Sequence, residues 1–292
     1  MEIRVLEYFL AITREQSISQ AANALHLSQP TLSRQIKELE EELGKQLFIR
    51  GNRKITLTDE GMLLRKRAEE IVRLVRKTED DLAITDESVS GDIYIGCGET
   101  DAIRIIARIA KELQEECPHI HYHLSSGDGI DVIEQLDKGL IDFGIIFEPY
   151  DFAKYDYIKM PAKDRWCVVM RKDDPLANKE FITADDISNK PLLLSRQVKH
   201  NSELFMWFNK PVSELNIVAT YNLIFNASLL VDEGLGYAIT YDKLINTSGD
   251  SNLCYRPISP ILENGMYIVW KKYQIFSKAA ERFLSKLQST IE

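Results

Sequence analysis

Amides, hydroxyls and cations follow one another between residues 28 and 37, a stretch without an acidic residue. Such side chains can hydrogen-bond base edges and phosphate oxygens, and no carboxylate there repels the nucleic-acid backbone. The first acid is Glu38, followed by three more at 40–42. This pattern favours nucleic-acid binding through the first turns of a helix. The residues concerned are Gln29, Thr31, Ser33, Arg34 and Lys37, with Pro30 among them.

A second group of cations lies between residues 45 and 54, which also lack an acid. The pair Gly51-Asn52 is typical of a hairpin tip. A hairpin that carries Arg50, Arg53 and Lys54 would form a wing against the DNA backbone or the minor groove. The alternative is an ordinary helical hairpin with a solvated basic loop.

Two short helices are predicted to position these residues. Ser17 can cap the first helix, and Ser28 can cap the second, where Pro30 falls in the first turn. His26-Leu27 makes the turn between them. Apolar residues at helical spacing then give the second helix one buried stripe, and the apolar residues of 3–14 give a further helix that completes a three-helix core. The stripe consists of Leu32, Ile36, Leu39 and Leu43.

The N-terminal residues resemble the signature of LysR-type transcriptional regulators, densely and without gaps. The resemblance implies that Gln29, Pro30, Thr31, Ser33 and Arg34 read or abut the major groove of operator DNA, with Lys37, Arg50 and Arg53 on phosphates or in the minor groove. The matching residues are Phe9-Leu10, Ser17, Ala21-Ala22, Leu25, Ser28-Gln29-Pro30, Ser33, Ile36, Leu39-Glu40, Leu43-Gly44, Leu47-Phe48, Arg50, Leu57-Thr58 and Gly61.

The composition is that of a globular protein with more than one compact unit: 292 residues, 45% hydrophobic and 28% charged. No apolar run is long enough to span a membrane, and the N-terminus lacks the pattern of a signal peptide, so a cytoplasmic protein is expected. Because the net charge is −9, DNA binding must depend on a local basic face. The four cysteines are far apart and predict free thiols, which disfavours thiol sensing.

A long helix is predicted to begin at Thr58 and to dimerise. Its seam has heptad spacing: Leu64, Ala68, Ile71, Val75, Thr78 and Leu82. The alternative is a helix packed on its own domain. The resemblance implies antiparallel pairing with a second copy, a dimer of dimers, and contact with RNA polymerase. Residues 85–91 read as a hinge, so the predicted domains are 1–58 (winged helix-turn-helix), 59–90 (linker) and 91–292 (effector binding).

After the hinge, strands and helices alternate, which predicts a parallel sheet with helices on both faces. Strands are predicted at 92–97, 119–124, 141–147, 165–171, 192–195, 216–220, 237–241 and 266–271, and helices at 102–116, 130–138 and 276–289. Gly91, Pro118, Gly139, Asp142 and 174–177 resemble the effector domain of the same family, although Thr240 stands where many relatives have proline. The resemblance implies an α/β fold like that of periplasmic binding proteins, with lobe I at about 91–161 and 267–292 and lobe II at about 162–266.

A ligand site is expected beyond the carboxyl ends of these strands, where open α/β sheets bind ligands. The predicted effector contacts are Gly98, Thr100, Ser125, Ser126, Phe147, Ser195 and Arg196. Helix starts and Arg196 favour an anion. Glu99, Asp101 and Glu148 favour a cationic or amine-bearing ligand, so the ligand's charge stays open.

Two further patterns are weaker evidence for a function. Gly234-Leu235-Gly236 follows a predicted helix and precedes a strand, the reverse of a dinucleotide loop, and indicates a C-cap turn. His119, His121 and His123 are expected to share one face of a strand, with Ile120, Tyr122 and Leu124 on the core side. Two of these histidines could bind zinc, but no third ligand is evident. A pH-sensitive interface is the better alternative, because imidazoles titrate near neutral pH.

No catalytic motif, metal set or cofactor loop is evident, so an enzyme is not expected. The sequence thus predicts a DNA-binding regulator controlled by a small molecule. The rival hypothesis is a ligand-binding protein whose helical head serves only in oligomerisation.

Overall fold

The N-terminal helices pack around one core in the computed structural model, which describes residues 1–51, 54–82, 89–148, 151–197 and 202–291. The chain divides into two units, Met1–Ala83 and Ile84–Glu292. Val5, Leu6, Phe9 and Ile12 bury the apolar face of the first helix against the next two. The elements of this unit are α1 (Ile3–Glu15), α2 (Ile18–Ala24), α3 (Gln29–Leu43), β1 (Phe48–Arg50), β2 (Ile55–Leu57) and α4 (Asp59–Leu82).

The predicted caps and turn are confirmed. Ser17 accepts a hydrogen bond from the N–H of Gln20, and Ser28 accepts one from the N–H of Thr31. His26 turns the chain with φ of 55°. The predicted stripe of α3 is confirmed for its first three residues but wrong for Leu43, which is 39% exposed. Leu43 is the last residue of α3, immediately before Gly44 ends the helix with φ of 63°.

The hairpin behind the predicted wing is also confirmed: β1 and β2 pair antiparallel, with Phe48 opposite Leu57. The N–H of Gly51 donates to the carbonyl of Lys54 across the turn. Asn52 and Arg53, at the predicted tip, lie outside the described residues.

The predicted seam of α4 is wrong in its first half. Ala68 is fully buried in the core of its own unit, and Leu64 and Ile71 pack against that core. The apolar residues do recur at heptad spacing, but in this half they pack against α1 and the rest of the N-terminal core. The alternative of a helix packed on its own domain therefore holds there. Three of the exposed apolar side chains of α4 lie off the predicted seam, namely Met62, Leu63 and Leu74. A fourth is Leu82, the last member of the seam.

The second unit is built on strands that follow the order β4-β3-β5-β11-β6-β9-β7-β8, with β10 paired to β6. Pairs β3–β4, β3–β5, β7–β8 and β7–β9 are parallel, whereas β11 and β6 run antiparallel to their neighbours. The strands are β3 (Gly91–Cys97), β4 (Ile120–Ser126), β5 (Phe143–Phe147), β6 (Tyr155–Arg171), β7 (Leu192–Ser195), β8 (Ile217–Tyr221), β9 (Tyr237–Tyr241), β10 (Leu253–Pro257) and β11 (Glu263–Lys271).

The helices of this unit cover the strands. They are α5 (Ile103–Glu116), α6 (Gly129–Asp137), α7 (Ala184–Ile187), α8 (Ser202–Phe208), α9 (Ile224–Asp232) and α10 (Lys278–Ile291). Separate cores define two lobes. Lobe I contains β3–β5 with α5, α6 and α10, lobe II contains β7–β10 with α7–α9, and β6 and β11 run between them.

The predicted parallel sheet is confirmed for the pairs within each lobe but wrong for β6 and β11, which run antiparallel to their neighbours. In addition, β6 begins ten residues before the expected strand, and β10 was not expected. Residues 155–164 mix five apolar with four charged side chains without regular alternation and include Pro161, which disfavours a strand assignment from sequence. They form a strand through long-range pairing with β11, which local sequence does not reveal. The turn at Gly234, with φ of 82°, follows α9 and precedes β9 as predicted. No helix among the described residues is long and apolar enough to cross a membrane.

Candidate nucleic-acid interface and ligand cleft

The first turns of α3 present most of the predicted DNA-binding residues to solvent. Gln29, Pro30, Thr31 and Arg34 are exposed, and Ser33 is half-buried. The hydroxyl of Thr31 lies 2.7 Å from that of the capping residue Ser28. This arrangement follows from the amphipathic pattern, because burying Leu32 and Ile36 turns the intervening polar side chains outward.

The cations of α3 form ion pairs along the helix. Arg34 Nε lies 3.5 Å from Glu38 Oε1, and Lys37 Nζ lies 3.3 Å from Glu41 Oε1. All four side chains are more than half exposed. Exposed pairs of this kind contribute about 0–1 kcal/mol, so a phosphate or a base edge can replace the carboxylate at low cost.

The wing is described in part. Arg50 ends β1, and only its backbone is described. Arg53 lies outside the described residues. Glu40 fixes the base of the wing, because its carboxylate accepts hydrogen bonds from the N–H groups of Leu47 and Phe48 at 2.7 and 3.2 Å.

A cavity of about 900 Å³ lies between the two lobes of the second unit. Of the predicted effector contacts, Gly98, Phe147 and Ser195 line it. They come from the ends of β3, β5 and β7, as the strand-end rule requires. The volume suits a drug-sized ligand.

The other four predicted contacts do not line the cavity. Thr100 is buried, and its hydroxyl accepts a hydrogen bond from the N–H of Ala102 at 3.0 Å, immediately before α5 begins. Ser125 donates to Gln135 at 3.3 Å, and Ser126 is exposed at the end of the edge strand β4. Arg196 is engaged in ion pairs beside the cavity.

The floor of the cavity is aromatic, which the sequence did not indicate. The ring of Phe147 stacks on that of Tyr241 with centroids 4.8 Å apart, and Trp166 lies 4.4 Å from Tyr241. Asn264 accepts the indole N–H of Trp166 at 3.2 Å and donates to the hydroxyl of Tyr241 at 3.0 Å. These residues come from β5, β6, β9 and β11, so only the long-range strand pairing brings them together.

Two polar contacts join the lobes beside the cavity. The Arg196 guanidinium donates to Asp128, and also to Asp131 at 2.8 Å. Burial raises the pKa of Asp128, but hydrogen bonds from Arg196 and from backbone N–H groups outweigh it, so the pKa lies below its ordinary value.

The second contact joins Glu99 to the start of α9, where its carboxylate accepts the N–H of Ile224 at 2.5 Å. Burial raises the pKa of Glu99, and this hydrogen bond opposes the rise.

The histidines of β4 do not form a metal site. His123 Nε2 lies 2.8 Å from an oxygen of Asp92, and the imidazole stacks on Tyr94. No group of His, Cys, Asp and Glu among the described residues could hold a metal ion. The expected core side of this strand is wrong for Leu124, which is 56% exposed because β4 extends past the lobe I core at its end.

Comparison with known proteins agrees with this division into a head and a cleft. The sequence model of a family described as "Bacterial regulatory helix-turn-helix protein, lysR family" matches residues 3–62, and that of the "LysR substrate binding domain" matches residues 86–291.

Two curated relatives are similar in sequence. A hydrogen peroxide-inducible genes activator of Dickeya chrysanthemi is 32% identical over 197 residues, which are 66% of this chain and 63% of that protein. An uncharacterized HTH-type transcriptional regulator, YvbU of Bacillus subtilis (strain 168), is 30% identical over 240 residues, 82% of this chain and 81% of that protein. The chain thus spans less than two thirds of the first relative and most of the second.

Among solved structures, full-length CbnR in complex with its target DNA has the same fold, with a TM-score of 0.75. It covers 99% of this chain and 100% of its own at 19% identity.

Proposed function

The chain belongs to the LysR family of bacterial transcriptional regulators, and from this membership we propose that it is a sequence-specific DNA-binding regulator controlled by a small-molecule effector. The proposed organisation is a winged helix-turn-helix at 1–58, a linker at 59–90 and an effector-binding domain at 91–292. Because operator DNA lies in the bacterial cytoplasm, the protein acts there. This role requires no catalysis.

One observation carries the DNA-binding part: α3 starts with a solvent-facing run of amides, hydroxyls and cations, beside a β-hairpin wing. We assign Gln29, Pro30, Thr31, Ser33 and Arg34 to the major groove, where amide and guanidinium groups can pair with base edges. Lys37, Arg50 and Arg53 are assigned to phosphates or the minor groove.

The cavity between the lobes is the proposed effector site. Its lining supports direct contacts from Gly98, Phe147 and Ser195 and adds Trp166 and Tyr241. Thr100, Ser125, Ser126 and Arg196 would then act as supports of the surrounding loops and lobes rather than as ligand contacts.

The proposed assembly is a dimer of dimers that contacts RNA polymerase. One reading head discriminates weakly, whereas two heads on a near-palindromic site add their binding free energies. The exposed apolar residues Leu63, Leu74 and Leu82 of α4 are the proposed contact with a second copy.

Arg34→Ala tests the regulator hypothesis. The full-length protein is titrated onto the DNA upstream of its own coding region across a salt series, with random DNA as competitor. We expect the variant to lose about 1–3 kcal/mol of specific binding while folding normally, since Arg34 is exposed. Arg104→Ala is the matched control, because this arginine is also exposed and paired to a nearby acid but lies on α5.

Unchanged operator affinity in Arg34→Ala would reject the recognition-helix assignment. Weak binding of the wild-type chain to both DNAs at every salt concentration would instead support the rival hypothesis of a ligand-binding protein with an oligomerisation head. A steep salt dependence with preference for the upstream DNA supports the proposal.

A further inference from the structure

The aromatic floor of the cleft is held in one arrangement by its own polar groups. Asn264 ties together the indole N–H of Trp166 and the hydroxyl of Tyr241, and its amide also donates to the carbonyl of Glu148 at 3.3 Å. The polar ends of both rings therefore have partners within the protein. What the floor offers to a ligand is therefore aromatic surface, to which Trp166 contributes little because it is 5% exposed. Aromatic rings attract cations placed over their faces.

The charged side chains that line the cavity are mostly acidic. Its carboxylates belong to Glu99, Asp128, Glu134, Asp137, Glu148 and Asp151, whereas Lys138 is the one cation among the described lining residues. Glu148 is held ionised, because hydrogen bonds from Tyr267 and Lys159 keep its pKa below the ordinary value. It directly follows Phe147, so a carboxylate lies next to the aromatic floor in the chain.

The helix starts at the cleft already hold carboxylates of the protein itself. The first N–H groups of α6, at Ile130 and Asp131, donate to Asp128 at 3.1 Å. At α9, the N–H of Ile224 donates to Glu99. An anionic ligand would have to displace these internal acceptors before it could use either helix dipole.

The cations near the cleft are engaged as well. Arg196 is paired with Asp128 and Asp131, and Lys138 Nζ lies 2.5 Å from Glu134. In the described part of the cleft, the groups that could bind an anion are therefore bound to the protein's own carboxylates. The lining combines aromatic residues with more acidic than basic side chains.

We propose that the effector of this cleft is an organic cation, an ammonium group on an apolar body, with the apolar body against the aromatic floor and the ammonium among lining carboxylates that include Glu99 and Glu148. This inference rests on the proposed function, because it takes the cleft to be the effector site. It names the charge of the ligand, which the sequence left open. A carboxylate ligand meets six lining carboxylates here, and the cations and helix-start N–H groups described above are already engaged, so its desolvation would be poorly compensated.

The test is the affinity of the full-length protein for three probes of one shape class: benzyltrimethylammonium, benzyl alcohol and benzoate. Binding is followed by calorimetry and by tryptophan emission. We expect the cation to bind about tenfold more tightly than the alcohol, with benzoate weakest. Glu148→Gln keeps an acceptor for Tyr267 but removes the charge, and should weaken the cation alone. Tyr241→Leu removes a ring face and should also weaken it.

Matched controls lie outside the cleft. Glu180→Gln removes an exposed carboxylate and Tyr273→Leu an almost fully exposed ring, and neither should alter the affinity for the cation. A cation affinity that Glu148→Gln leaves unchanged would overturn the proposal, as would binding of benzoate at least as tight as that of the cation.

The outcomes separate the two proposals. Benzoate binding that Tyr241→Leu abolishes would refute a cationic effector and keep the cleft as the effector site. Binding that neither cleft variant affects would place the site elsewhere and refute both. Operator binding, measured with Arg34→Ala, is independent of either result.

Discussion

Asp164 gives this protein a pH-dependent weakness that one substitution should remove. The residue is 3% exposed, and one of its carboxylate oxygens has no hydrogen-bond partner. Burial raises its pKa to about 6, opposed by a hydrogen bond from Thr100 and assisted by the charges of Asp242 and Asp101. The folded protein therefore holds this proton more tightly than the unfolded chain does.

The direction and size of the change in stability with pH follow from the difference between the pKa values of the folded and unfolded states. As the pH rises through the ordinary carboxyl value of 3.8, the unfolded chain releases the proton first, and the folded protein keeps it up to a pH of about 6. Stability falls through this window, and the two pKa values correspond to about 3 kcal/mol. Asp164→Asn cannot titrate. Its amide also leaves a buried donor unpaired, but that cost of about 1–3 kcal/mol is the same at every pH.

The measurement is the free energy of unfolding of both proteins in urea at several pH values between about 4 and 7. Tryptophan emission reports the effector unit, since Trp166, Trp207 and Trp270 all lie in it. The variant's stability relative to wild type should increase by about 3 kcal/mol across that range. Asp250→Asn, at an exposed carboxyl, is the control and should show no such trend. A constant difference between Asp164→Asn and wild type would refute the assignment of a raised pKa.

Three further predictions concern other parts of the chain. Arg196→Ala should lower the free energy of unfolding of the effector unit in urea at neutral pH by about 1–3 kcal/mol, because it removes the ion-pair partner of buried Asp128. An unchanged unfolding midpoint would show that the ion pair is not needed for stability. Hydrogen peroxide should leave operator affinity unchanged in gel-shift titrations. All four cysteines are free and three are buried, and burial raises the pKa of those three thiols, which makes them less reactive. A change in operator affinity after peroxide treatment would instead support thiol sensing. Leu64→Asp should lower the melting temperature of the N-terminal unit measured by circular dichroism, because Leu64 packs on its core. Met62→Asp, at an exposed site of the same helix outside the proposed contact with a second copy, should not. Equal effects would contradict the packing of Leu64.

The head was predictable from sequence because its signals are local. Ser17 and Ser28 cap helices within three residues, and the stripe of Leu32, Ile36 and Leu39 needs only helical periodicity. The errors occur where local periodicity cannot identify the partner. A heptad spacing in α4 fits a second copy and its own domain equally well, and the core around Ala68 decided between them.

The cleft was only partly predictable for the same reason. Strand ends identified Gly98, Phe147 and Ser195, since topology alone requires them at one edge. Trp166 and Tyr241 lie on strands that the sequence predicted, but they meet through the long-range antiparallel pairing of β6 with β9, which local sequence does not reveal. Thr100 does not line the cavity, and sequence cannot tell whether a hydroxyl after a strand contacts a ligand or a nearby backbone N–H, here that of Ala102.

The two interlobe contacts differ in how a ligand could act on them. A ligand shifts a balance between conformations only if it binds one of them better. Glu99 lines the cavity and also holds the start of α9, so a cation that binds its carboxylate competes directly with the N–H of Ile224. Arg196 and Asp131 do not line the cavity, and Asp128, which does, is only 2% exposed, so we expect these ion pairs to persist when the cleft fills. Effector binding should therefore weaken the interlobe contact at Glu99 while the Arg196 ion pairs keep the lobes joined.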